Sequence, residues 1–77
     1  MILTKNVATQ DLPHVRLRRL RTAAGLTLQG LASKAGLSKS HLSKMETNYD
    51  SIMGTSYRNL CKIAAALNTS VPEVMEH

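Results

Sequence analysis

Apolar residues recur three and four positions apart in two clean stretches of the chain, Leu28, Leu31, Ala32, Ala35 and Leu60, Ile63, Ala64, Leu67. That spacing places each set on one stripe of an α-helix. Between and beside them the pattern is shorter but of the same period: Leu17, Leu20 and Ala24 ahead of Gly25, and Leu42, Met45 and Tyr49 after Ser38. No pair of alternating runs flanks a two-residue turn, so strands have no support. The chain therefore reads as all-helical.

Punctuation residues fix the predicted bounds. Pro13 suits a first helical turn, with Asp11 available as its cap, and Gly25 stops this helix after Ala24. Thr27 caps a second helix that Gly36 ends. Gly30 lies inside it, where glycine costs about 1 kcal/mol relative to alanine, which suggests that another backbone packs close by. Ser38 caps a third helix after a turn of only Gly36, Leu37 and Ser38. Ser56 caps a fourth, which ends where Asn68 can adopt a left-handed conformation, and Ser70 with Glu73 makes an S-x-x-E capping box for a short fifth helix bearing Val71, Val74 and Met75. The stretch YDSIMGTS from Tyr49 reads as a loop with two exposed apolar residues, Ile52 and Met53. Residues 1–12 show no clear pattern and read as an arm preceding one domain over 13–77. Cys61, beside the apolar stripe of the fourth helix, reads as a small packed hydrophobe.

Winding the third helix at about 100° per residue collects Ser40, Ser43, Lys44 and Thr47 on the side opposite Leu42, Met45 and Tyr49. On any single helix such a face is most often just solvated. Here it belongs to the second of two short helices joined by a tight glycine-containing turn, the helix-turn-helix arrangement whose second helix faces the major groove. Short donors and a flexible cation, with nothing acidic, suit that place. Lys39 and His41 flank the face at the helix N-terminus, where the helix dipole also favours phosphate.

Charge strengthens this reading. Formal net charge is +5, and between Arg16 and Lys62 nine Lys/Arg face only two acids, Glu46 and Asp50. Such a polycation collects phosphate. Glu46 falls beside Leu42 at the edge of the buried side, where an unpaired carboxylate is costly; Arg21, Arg16 and Arg19 of the first helix are the available partners.

From Leu17 to about Met75, LRRLRTAAGLTLQGLASKAGLSKSHLSKME and NLCKIAAALNTSVPEV resemble the Cro/cI-type (Xre-like) helix-turn-helix repressors. The resemblance implies a compact five-helix lambda-repressor-like domain that binds double-stranded DNA. It implies base reading by Lys39, Ser40, Ser43, Lys44 and Thr47, phosphate contacts by Thr27, Gln29, His41 and Asn48, and a structural ion pair between Arg21 and Glu46. The sequence departs from the family at three points. Leu28 stands where many members carry a phosphate-binding glutamine, with Gln29 next. Asn48 replaces a frequent glycine, a position where asparagine tolerates the left-handed backbone. The 49–55 loop is longer than the common form by about three residues, on the family pattern.

The remaining classes fare worse. His14, His41 and His77 have no Cys or acidic neighbours at ligand spacing, so no metal site or cofactor is expected. No phosphate-cradling glycine motif occurs and Cys61 has no paired histidine, so no enzyme is expected. The only aromatics, Tyr49 and Tyr57, lie on inward stripes, which weakens RNA stacking. One cysteine excludes an internal disulfide and suits the cytoplasm, and no stretch is long and apolar enough for a membrane span. A homodimer is expected from the two-fold operators of this class, with Ile52, Met53, Val74 and Met75 as contacts. The rival function is a protein-interaction module, such as an antitoxin or co-regulator, that uses the same fold to hold a protein partner.

Overall fold

A computed structural model describes residues 12–75. Among them run six α-helices: α1 (Pro13–Ala23), α2 (Leu28–Ala35), α3 (Lys39–Thr47), α4 (Tyr49–Met53), α5 (Tyr57–Ala66) and α6 (Val71–Met75). The starts follow the hydroxyl residues. Thr27 Oγ1 accepts from the Gly30 amide at 2.9 Å, Ser38 Oγ from His41 at 3.1 Å, and Ser56 Oγ from Asn59 at 3.2 Å. Each satisfies a first-turn amide that has no partner within its helix. Asp11, expected to cap α1, lies outside the described residues; extended Leu12 occupies the N-cap, and Pro13 follows as the first helical residue.

Three helices end alike. Leu26, Leu37 and Thr69 each donate a backbone hydrogen bond to a carbonyl five residues back, around a left-handed residue at Gly25, Gly36 and Asn68 respectively. This is the turn by which a helix reverses while keeping its last carbonyls bonded. At Gly36 it leaves only Leu37 and Ser38 before α3 begins.

The core holds Leu17 from α1, Leu31, Ala32 and Ala35 from α2, Leu42 and Met45 from α3, Ile52 from α4, Leu60, Ile63, Ala64 and Ala66 from α5, and Val74 from α6. Helix α1 packs against α3, α4 and α6, while α2 packs against α3 and α5. At the far end Arg16 Nε donates to the Glu73 carbonyl, and Arg16 Nη2 lies 4.0 Å from the Glu73 carboxylate, so the acid expected to serve the Ser70 capping box faces α1.

Several expectations need correction. The 49–55 segment is not a loop throughout: Asn48 is extended (φ −133°), not left-handed, and its Oδ1 accepts from the Ser51 amide at 3.2 Å to cap α4. Six helices result instead of five. Because Asn48 breaks the helical phase, Tyr49 does not continue the Leu42–Met45 stripe; it is 39% exposed, with its ring edge-on to His14. The same helix turns Ile52 wholly into the core and leaves Met53 outside. Val74 is also core, so Ile52 and Val74 have no surface to give a dimer contact.

Tyr57, at the first position of α5, projects beyond the core and is 70% exposed. Cys61 points outward one position past Leu60, and Ala24 is exposed where α1 runs out. Among the described residues no backbone of another element comes within 4 Å of a Cβ placed at Gly30, which instead meets Thr27 Oγ1 at 3.1 Å and Leu26 Cδ2 at 3.8 Å.

Candidate nucleic-acid interface

The outward side of α3 is built from behind. Leu42 and Met45 anchor the helix in the core, and Glu46 beside them is buried. A carboxylate there needs a strong partner, and Arg21 supplies a two-point one: Nε to Oε2 at 2.7 Å and Nη2 to Oε1 at 3.0 Å. Arg21 Nη1 also donates to the Leu26 carbonyl at 2.9 Å. One guanidinium thus joins α1, the α1–α2 turn and α3. Of the three arginines open to Glu46 by spacing, the fold selects Arg21, whereas Arg16 faces Glu73.

The Glu46 hydrogen bond, aided by the attraction of its charge and opposed by burial, raises the Arg21 pKa above its ordinary value. A raised basic pKa contributes stability that is full below the unfolded value and lost only as pH rises through the folded one. For arginine both lie far above neutrality, so alkali in the ordinary range does not release the clamp from the arginine side.

Opposite this anchor, Lys39, Ser40, His41, Lys44 and Thr47 are exposed and Ser43 is half-buried. Lys39, Ser40, Ser43 and Lys44 line one shallow concavity together with Leu28 at the start of α2. Thr47 lies one turn on, its hydroxyl donating to the Ser43 carbonyl at 2.9 Å. That proton is committed to the helix, so outward Thr47 offers its methyl group and acceptor lone pairs.

None of the four phosphate candidates lines the concavity. Thr27 marks the start of α2; its Oγ accepts from Gly30, which leaves the hydroxyl proton available. Gln29 Nε2 reaches along α2 to Ser33 Oγ at 3.2 Å. His41 is in the first turn of α3, and Asn48 closes its other end with Nδ2 not used by its cap bond. Leu28 is the member of the site that periodicity conceals. It opens the i, i+3, i+4, i+7 stripe and counts there as core, yet it is only half-buried, unlike Leu31.

Two helices joined by the Gly36–Ser38 turn, the second anchored by its apolar side and bare on its polar one, define a helix-turn-helix protein. The helix-turn-helix family profile matches residues 17–74. The chain belongs to this family, in its Cro/cI (Xre-like) branch of DNA-binding transcription regulators.

Solved structures agree. One is the crystal structure of SinR, described as the master regulator for biofilm formation, in complex with DNA: 37% identity, TM-score 0.71, 78% of this chain and 92% of that one covered. Another is the solution structure of the N-terminal DNA-binding domain of SinR from Bacillus subtilis: 34% identity, TM-score 0.72, coverage 83% and 90%. A third is the SinR protein/SinI protein complex: 33% identity, TM-score 0.77, 86% of this chain but 62% of that one. No curated protein matches the chain. Among the described residues, no helix is long and apolar enough to cross a membrane, and no group of three or more His, Cys, Asp or Glu could hold a metal ion.

Proposed function

We propose that the protein is a repressor that binds a palindromic operator as a homodimer, with α3 of each subunit in the major groove. In this role Lys39, Ser40, Ser43, Lys44 and Thr47 meet base edges, and Thr27, Gln29, His41 and Asn48 meet the flanking phosphates. The protein acts by binding, without a catalytic step, a cofactor or a metal, in the cytoplasm where the operator is. The observation that carries the reading is the outward side of α3: a cationic, hydroxyl-bearing face with no acid among its residues, while Glu46 behind it is paired with Arg21. The likeness to the SinR domain described in complex with DNA supports it. With Ile52 and Val74 in the core, Met53 and Met75 are left of the four proposed dimer contacts.

Selection of bound fragments from genomic DNA supplies the test duplex. Ser40→Ala and Lys44→Ala each weaken binding to that duplex by about 1 to 3 kcal/mol and change mixed-sequence binding less. Binding falls steeply with salt, and removing a phosphate-contacting group lowers the slope. Unchanged sequence preference in both variants would sink the assignment of α3 as reader. Sedimentation showing only monomer, with and without the duplex, removes the dimer.

A second reading, a module that holds a protein partner, is favoured by one observation, the likeness to a chain of the SinR protein/SinI protein complex. It predicts partner binding that survives Lys44→Ala.

A further inference from the structure

The concavity beside α3 has an apolar floor. Leu28 is the first residue of α2; its side chain packs partly against the core, yet its remaining surface is open and lines the concavity. It stays partly exposed, while Leu31, one turn on, is completely covered. The residues around it explain why. Ser40 and Ser43 are too small to cover it, and Lys39 and Lys44 are long chains whose charged ends belong in water or against a polar ligand. A partly open leucine ringed by two hydroxyls and two ammonium groups is a poor arrangement for solvent alone. It suits a ligand that is anionic at its edges and carries a small apolar group at its centre.

Duplex DNA has one such group. In the major groove only thymine presents a methyl, at C5, while cytosine has hydrogen there and the purines present polar edges. We infer that Leu28 is a specificity-determining residue that receives a thymine 5-methyl group in the concavity between α2 and α3. Lys39, Ser40, Ser43 and Lys44 then meet the polar edges of the same or the adjacent base pairs. This inference rests on the proposed entry of α3 into the major groove and adds a residue from α2 that reads shape and methylation in place of hydrogen-bonding pattern.

The test deletes the methyl group from the DNA. Each thymine of the selected duplex is replaced in turn by deoxyuridine, which keeps every hydrogen-bonding atom, and affinities are measured by fluorescence anisotropy for wild type, Leu28→Ala and Leu28→Gln. One replacement per half-site is expected to weaken wild-type binding by about fourfold, the value of one buried methyl group. The same replacement should have no effect on either variant. If every thymine can lose its methyl without loss of wild-type affinity, the inference is overturned, even should the variants fail to fold. It is equally overturned if the selected duplex contains no thymine, or if the penalty persists in a folded variant. In each of those cases the effects of Ser40→Ala and Lys44→Ala still report separately on α3 as reader. Failure to select any duplex would overturn both.

Discussion

The unit of α2, turn and α3 and the segment Asn48–Thr55 lie side by side, yet they are built on opposite terms. In the first, apolar residues recur over two full turns and separate a buried stripe from a bare face. In the second, a five-residue helix holds one core side chain, Ile52, with Met53 next to it in solvent. A helix of five residues completes little more than one turn and would not form alone; its stability comes from the contacts of its few inward atoms. The recognition unit spreads its anchoring over Leu31, Ala32, Ala35, Leu42, Met45 and the Arg21–Glu46 pair. The short segment concentrates it in a single residue.

That contrast sets the largest expected effect. Ile52→Ala should cost about 2 to 5 kcal/mol in urea unfolding, the range for emptying a filled core site, whereas its neighbour Met53→Ala should stay within about 0.5 kcal/mol. Equal small effects would mean that residues 49–53 behave as the surface loop their sequence suggests. Next comes Glu46→Gln. The amide keeps one acceptor for Arg21 but turns N–H groups toward a guanidinium that can only donate, with the carboxylate position almost fully covered. A loss of about 1 to 3 kcal/mol is expected, as for a buried donor left without its partner. High salt should leave most of the difference in place, because a covered pair is poorly screened. A fully salt-suppressed difference would place Glu46 in solvent.

What the sequence reveals divides along the same line. The α2 and α5 stripes, the hydroxyl caps and the two glycine stops were legible because each depends on residues within one or two turns. The members of the candidate interface on α3 were legible too, since a bare helical face is defined by the helix's own period. Misreadings cluster where a side chain's environment is set by a distant element or by a change of helical phase. Tyr49 follows Leu42 and Met45 by spacing, but extended Asn48 resets the phase before it. Tyr57 and Ala24 fit inward patterns and fall at helix ends beyond the core. Ile52 is apolar in a polar stretch, and only the positions of α1 and α3 decide that it points in. Leu28 is the mirror case, a residue packed against the core yet left partly open where its neighbours in space, Ser40 and Ser43, are small.

Asn48 gives a sharper and smaller test of that phase change. Were its backbone left-handed, Asn48→Gly would stabilise the fold by relieving strain. With φ −133° and the side chain capping Ser51, glycine has no strain to relieve and loses the cap bond. Asn48→Ala should cost about 1 kcal/mol and Asn48→Gly a few tenths of a kcal/mol, both as losses in thermal unfolding. A gain with glycine would show that α3 ends in a left-handed turn and that α4 is not separately capped.

The smallest effect lies in the recognition unit itself, at Gly30. Alanine inside a helix is worth about 1 kcal/mol over glycine, so Gly30→Ala is expected to stabilise α2 if nothing intervenes. The new methyl group would lie 3.1 Å from Thr27 Oγ1, closer than carbon and oxygen normally approach. That oxygen is not free to withdraw, because it is the acceptor that caps α2 through the Gly30 amide. The propensity gain and the disturbed cap should offset each other to within about 0.5 kcal/mol, since a threonine cap is worth about 1 kcal/mol. Repeating the substitution in a Thr27→Ala background separates the two: with no hydroxyl to displace, Gly30→Ala should recover most of its helix-propensity gain. The same gain in both backgrounds would show that the capping hydroxyl does not set the glycine.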